Sequence, residues 1–334
     1  MSNEIIIAID AMGGDKSPKK ILDGIEISLK KNTENFFLLF GDENILKKEI
    51  FKSSLLKKHC DIVHTQDVIL DDESPLTAAK KGKNSSMWKA IESLKLKKSH
   101  ISLSAGNTGA LLVISRLLLD TIEGITKPAL AGLWPNQKNM NIVLDLGANI
   151  ECNSKTLVDF SCMGAALSKS LFEIDRPKVS LLNVGLEEIK GSDILKKTFS
   201  TLKNNKIDHF EFCGYIEGNH IMDGDVDVIV TDGFTGNIAL KTAEGTADFI
   251  TKNLKNSLSK ISILLSFRSL KKFKDKLDPR KYNGAIFLGL QSPVVKSHGG
   301  TDAIGFAHSI NVCNKIVKSD LIKKIESNLI TVDH

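Results

Sequence analysis

Apolar residues recur along this chain at two different periods. Short, nearly continuous apolar runs, EIIIAID (4–10), FFLLF (36–40), DIVH (61–64), ISLS (101–104), ALAGLW (129–134), NIVLDL (141–146), VSLLNV (179–184) and VDVIVTD (226–232), are separated by longer segments with apolar positions every three to four residues. The runs have the length of strands, and the spaced segments mark one face of a helix. Strands alternating with helices predict an α/β fold with a mostly parallel sheet flanked by helices. The first helix reads from Ser17-Pro18, an N-cap and first-turn pair, with Ile21, Leu22, Ile25 and Leu29 on one face. Most runs end in Gly, Asp or Asn. Open α/β sheets bind ligands at the carboxyl ends of their strands, so these turns point to one shared crevice. No internal repeat, low-complexity tract or flexible linker divides residues 1–334, which read as one continuous unit of one or two lobes.

Composition narrows the function. A chain of 334 residues, 42% hydrophobic and 25% charged, buries a sizeable globular core. No apolar stretch approaches the ~20 residues of a membrane span, and MSNEIIIAID lacks a basic leader, so a cytoplasmic protein is expected. Five cysteines without a CxxC pair suggest reduced structural thiols, with no zinc site or disulfide framework. The net charge of +5 is mild and aromatic residues make up only 6%, which speaks against nucleic acid as a partner and leaves room for an acidic one.

Several strand-to-helix turns carry candidate chemistry. In SAGNTGALL (104–112), Gly106 and Gly109 bracket Asn107 and Thr108, and the N–H groups of a helix start favour an anion. LDLGANIEC (144–152) offers Asp145 and Asn149, and TDGFTGNIALK (231–241) offers Asp232 and Asn237. SPVVKSHGGTDA (292–303) sets Lys296 and His298 before a double glycine, where they can hold phosphate and move a proton near neutral pH. AMGGD (11–15) lacks the GxGxxG spacing of a dinucleotide fingerprint and reads as a structural turn. DGDVD (223–227) fails as a calcium loop because Val228 and Phe234 occupy the glycine and bidentate-glutamate positions, leaving a solvated acidic turn.

Taken in order, IAIDAMGGDKSP, SSMWKA, SAGNTGA, LDLGANIEC, LLNVGLEEIKGSD, GYIEGNHI, TDGFTGNIALKT, LDPRKYNGAIFLGL and VVKSHGGTDA resemble the bacterial phosphate acyltransferases of phospholipid synthesis over nearly the whole chain. The resemblance implies a fold similar to the phosphate acetyltransferase and isopropylmalate dehydrogenase group. It also implies a reaction in which inorganic phosphate attacks the thioester of a fatty acyl-carrier protein, giving acyl phosphate and free carrier, the first step towards phosphatidic acid. A membrane glycerol-3-phosphate acyltransferase would consume the product, and no metal or redox cofactor is required. Around Trp134-Pro135-Asn136 the chain departs from the pattern, where a smaller, less aromatic residue is expected.

On this reading Gly106, Asn107, Thr108 and Gly109 cradle phosphate, Asn107 or His298 also faces the oxyanion, and Lys296 and His298 orient or deprotonate phosphate. Asp145, Asn149, Asp232 and Asn237 line the crevice, with Lys190 a further phosphate contact. The segment 254–277 carries two apolar helical stripes among basic residues. Ile263, Phe267 and Leu270 are its candidate contacts with an anionic membrane surface, and a helix pair buried in a homodimer is the other reading. Two rival functions are a metal- and NAD-dependent dehydrogenase of the same fold group and a non-catalytic membrane-associated scaffold.

Overall fold

The computed structural model describes residues 4–257 and 278–329. Among the described residues eleven strands form one sheet: β1 (Ile5–Asp10), β2 (Asn35–Gly41), β3 (Cys60–His64), β4 (Ile101–Ser104), β5 (Ala129–Pro135), β6 (Met140–Leu144), β7 (Lys178–Asn183), β8 (Glu211–Glu217), β9 (Val228–Val230), β10 (Ala285–Leu288) and β11 (Val294–Lys296). The spatial order is β3-β2-β1-β4-β11-β10-β5-β6-β9-β7-β8. Every pairing is parallel except β11 with β10, β10 with β5, and β5 with β6. The expected mostly parallel α/β sheet is present.

Helices cover both faces because the strands bury both. Ile142 and Leu144 of β6 point to one apolar cluster and Val143 between them to the other, all fully buried. On the first face lie α1 (Lys19–Leu29), α2 (Glu43–Ile50), α3 (Ser54–His59), α7 (Ser154–Phe172), α8 (Asp193–Asn204), α10 (Ala303–Lys318) and α11 (Leu321–Asn328). The other carries α4 (Pro75–Lys81), α5 (Ser86–Lys95), α6 (Thr108–Leu118) and α9 (Gly233–Ser257). Trp134 is buried in this second cluster, where its large ring fills space between sheet and helices.

The face of α1 is as expected, with Ile21, Leu22, Ile25 and Leu29 buried. Its cap is not. Pro18 occupies the N-cap position, and the Ser17 hydroxyl donates to the Gly13 carbonyl at 2.6 Å, tying the helix to the preceding glycine turn. No described helix is long and apolar enough to cross a membrane. Ile263, Phe267 and Leu270 lie outside the described residues.

The three reversals leave β6 and β9 antiparallel in sequence sense to β1, β4 and β11. Five steps across the sheet separate β4 from β9, and at roughly 20–25° of twist each the sheet turns by about 110° between them. The strands of the two halves therefore run obliquely to each other, and α9 leaves the end of β9 on a path towards the other half.

Candidate active site

Three loops converge where β1, β4 and β11, neighbours in the sheet, end. Gly13 and Gly106 pack so closely that a Cβ on Gly13 would lie 2.8 Å from the Gly106 nitrogen and 2.5 Å from an Asp10 carboxylate oxygen. Gly14 has φ +79 and would meet the carbonyls of Ala105 and Gly299 with any side chain. Only glycine permits this approach, so AMGGD is a wall of the site, where the sequence alone suggested an ordinary turn. The Asp15 N–H donates to the Gly299 carbonyl at 3.2 Å, joining the first loop to the third.

Asp10 is the buried anchor. It accepts from the hydroxyls of Ser86 and Ser104, each at 2.6 Å, and Ser104 Oγ in turn accepts from the Gly106 N–H at 3.1 Å. Burial raises its pKa against the pull of these donors. Around it stand two buried lysines. Lys296 is 8% exposed, and its ammonium donates to the carbonyls of Ser297 and Ala105. Lys20 is 6% exposed and donates to the Gly299 carbonyl. Neither forms an ion pair among the described residues, although Asp71 acts on both charges through space. Burial pushes Lys296 down to about 8 and lowers Lys20 as well. Asp15 also acts on Lys20 and Asp10 on Lys296, yet each ammonium hydrogen-bonds only carbonyls and can still take an anion as its direct partner.

His298 closes the third loop. Its Nδ1 accepts from the Gly300 N–H at 3.1 Å, which assigns the neutral ring its proton at Nε2. Burial, then the charge of Lys296, depress its pKa, while Lys241 and Glu244 of α9 act on it in opposite senses. This makes His298 a hydrogen-bond donor through Nε2. Of the two expected roles, orienting phosphate and deprotonating it, this tautomer suits the first. Asn283 holds the loop in place, accepting from the His298 N–H at 2.8 Å and donating to Ser297 Oγ at 2.8 Å and the Gly305 carbonyl at 2.9 Å.

Asn107 has a different task from the one expected. Its Oδ1 caps α6 by accepting from Ala110 N–H at 3.0 Å, and its Nδ2 reaches the carbonyls of Leu70, Asp71 and Glu73 at 2.8–3.2 Å. Both amide hydrogens are engaged, leaving none for an oxyanion. The residue is a clamp that brings the 70–73 loop, and Asp71 with it, to the site. Thr108 and Gly109 keep first-turn N–H groups that no carbonyl within the helix can reach.

The remaining predicted residues gather at the ends of β6, β7 and β9. Asp145 is fully buried and accepts from the N–H groups of Leu130, Gly147, Ala148 and Asn149 and from the Asn149 amide, at 2.7–3.3 Å. Asn149 also donates to the Pro128 carbonyl at 2.7 Å, and Asp232 caps α9 through Thr235. These side chains are consumed by their own turns, and two of them are carboxylates that would repel phosphate. They are not phosphate ligands in this arrangement. Asn237, packed beside Gly147, and Lys190, exposed in the turn after β7, are the two of this group whose side chains bind nothing among the described residues. The predicted residues thus fall in two turn clusters, with α9 carrying Asn237 beside Gly147 at one and, one turn on, Lys241 and Glu244 within electrostatic reach of His298 at the other.

Comparison with known proteins agrees with this architecture. Residues 5–324 match the family described as "Fatty acid synthesis protein". A phosphate acyltransferase of Pelagibacter ubique is 59% identical over 334 residues, covering 98% of this chain and 100% of its own length. One from Azorhizobium caulinodans is 42% identical over 337 residues, covering 99% and 95%. Among solved structures, the EutD phosphotransacetylase of Staphylococcus aureus superposes with a TM-score of 0.63 at 15% identity, and a phosphotransacetylase of Streptococcus pyogenes with 0.62 at 14%. They cover 95% and 96% of this chain, and 95% and 94% of their own, and at such identity they speak for the fold alone. The dehydrogenase and scaffold alternatives give way to these full-length matches, and the chain belongs to the bacterial phosphate acyltransferases, enzymes of acyl transfer to phosphate.

Proposed function

We propose that the acyl donor is a fatty acyl-acyl-carrier protein and that the enzyme makes acyl phosphate as the first step towards phosphatidic acid. The observation that carries the site is the pair of buried, unpaired ammonium groups of Lys20 and Lys296 where the three loops meet. Phosphate supplies their missing charge. The N–H groups of Thr108 and Gly109 at the start of α6 and Nε2 of His298 are its further donors. Held there, an oxygen of hydrogen phosphate attacks the thioester carbonyl carbon. A tetrahedral oxyanion forms, the C–S bond breaks, and the phosphate proton ends on the carrier thiol. A thiol of pKa ~8.5 leaves readily, so the chain's main work is to desolvate and aim phosphate. Asn237 and Lys190 are the partner-free groups on the other cluster, and we assign them to the acyl-thioester side, with α9 linking the two. The experiment is release of free thiol from palmitoyl-carrier protein with acyl phosphate trapped by hydroxylamine. Release that requires phosphate supports the reading, and release independent of phosphate rejects it.

The finer setting is part of the same proposal. α9 exposes Ile238, Phe249 and Ile250, an apolar set suited to a second copy in a homodimer. The basic, doubly striped sequence of 254–277 suits peripheral attachment of a cytoplasmic enzyme to an anionic membrane, where a glycerol-3-phosphate acyltransferase would take the product. Flotation with anionic liposomes that recovers an Ile263→Asp, Phe267→Asp variant as well as the parent would remove the membrane attachment.

A further inference from the structure

A second cationic cavity lies away from the strand-end loops. The carboxyl-terminal halves of α1 and α7, the length of α10, and α11 enclose about 610 Å³. That is within the range of about 300–1,000 Å³ for small-molecule sites. Five lysines line it, Lys31, Lys169, Lys315, Lys318 and Lys324, against one carboxylate, Glu173. Two of the five are occupied: Lys315 donates to the Leu171 carbonyl at the end of α7, and Lys318 pairs with Glu34 at 2.7 Å. The ammonium groups of Lys31, Lys169 and Lys324 have no hydrogen bond or ion pair among the described residues.

Uncompensated cations on a concave wall focus positive potential into the space they enclose. Buried polar side chains also stand at its wall. Ser170 and Asn314 line this cavity while being 7% and 8% exposed, and Ser170 Oγ and Asn314 Oδ1 are buried without a partner. A buried polar atom left unpaired costs about 1–3 kcal/mol. The cavity is also graded. Ile27, Ile304 and Ala307 supply apolar surface near the start of α10, and the lysines at 315 and 318 stand at its far end. At 1.5 Å per residue the span from Ile304 to Lys318 is about 21 Å.

We propose that this cavity binds an organic polyphosphate of nucleotide size, its charged groups held by Lys31, Lys169 and Lys324 and its organic body set against Ile27, Ile304 and Ala307. The concave wall formed by four helices suits a small molecule better than the convex surface of an acidic protein. The site is separate from the catalytic loops, since none of its lining residues is among those holding Lys20, Lys296 or His298.

ATP is the probe, titrated by calorimetry at 0.1 M salt into the full chain, a Lys31→Ala, Lys169→Ala, Lys324→Ala variant, and Lys296→Ala. The parent should bind one equivalent, and the triple variant should bind at least about tenfold more weakly, as expected for lost charge-assisted contacts. Lys296→Ala should bind as the parent does. A matched triple arginine variant keeps the charge and should retain binding, and unchanged melting of the triple alanine variant excludes loss of fold. Saturation weaker than about 1 mM in the parent overturns the proposal. So does loss in Lys296→Ala with retention in the triple variant, which would place ATP at the strand-end loops. Lost binding of carrier protein in the triple variant with ATP affinity unchanged would make the cavity a protein-docking surface and also overturn it. None of these readouts requires catalysis, so they stand apart from the turnover assay.

Discussion

The turns that end β4 and β11 and the turns that end β6 and β9 are written in the same residues, glycine with Asn, Asp and a helix start, yet they do different work. At the second cluster, Asp145 gathers five donors from residues 130–149, and Asp232 caps the helix it precedes. Both carboxylates are satisfied within their own turns, and only Asn237 and Lys190 keep side chains without a partner among the described residues. At the first cluster the ammonium groups hydrogen-bond only carbonyls, and the two buried lysines form no direct ion pair among the described residues, with Asp15, Asp71 and Asp10 acting on them through space. A polar turn becomes a site when its charge is left over after the fold has taken what it needs.

The sharpest way to break that contrast is Asp145→Ala. It strips acceptors from four backbone N–H groups in a buried turn. At about 1–3 kcal/mol for each donor left unpaired, the fold should lose most of its stability. A melting temperature within a few degrees of the parent would refute the structural role. Lys296→Ala should behave in the opposite way, melting normally and losing about 100-fold or more in turnover with phosphate, the scale of removing one preorganised charge contact. Equal turnover would remove Lys296 from the site.

Smaller effects sharpen the division within the second cluster. Asn237→Ala and Lys190→Ala should each raise the KM for the acyl donor by about tenfold, the scale of one lost polar contact, with the KM for phosphate unchanged. A shift in the phosphate KM instead would move them to the phosphate side. Asn107→Ala loses a helix cap worth about 1 kcal/mol and releases the 70–73 loop, so turnover should fall by only a few-fold. A loss as large as that of Lys296→Ala would restore Asn107 to the chemistry.

The depressed pKa of Lys296 supplies a pH test. It is charged below about 8, so phosphate capture should decline as pH rises through that value. Bound phosphate stabilises the ammonium, and the limb should move to higher pH under saturating phosphate. The sign for stability is the reverse. The unfolded chain keeps its proton to about 10.4, so between the two values it carries more protons and Lys296 alone makes folding more favourable as pH rises. Lys296→Arg should abolish the limb near 8.

Much of the fold was legible because central strands of a parallel sheet are buried on both faces and read as continuous apolar runs. β8, β10 and β11 escaped that reading. β8 alternates exposed and half-buried positions over its first four residues, which include Gly214, while β10 and β11 are four and three residues long. The antiparallel insertion exists only through pairing with β4 and β5, which no local pattern encodes. The site was legible where chemistry clusters in sequence, as in Lys296 and His298. Lys20 was not, because nothing distinguishes it from Lys19 until the 299–300 loop covers it. Asn107 was assigned a ligand role because its acceptors lie 34–37 residues away, and the role of AMGGD depended on Gly106 meeting Gly13 across the sheet.

The most direct test of the central claim is phosphate binding itself, measured by calorimetry on the parent, Lys296→Met and Lys20→Met without an acyl donor. The account predicts saturable binding in the parent and its loss in both variants, with folding intact. Phosphate affinity equal in all three would contradict it, because the two unpaired ammonium groups would then not be what holds the attacking anion.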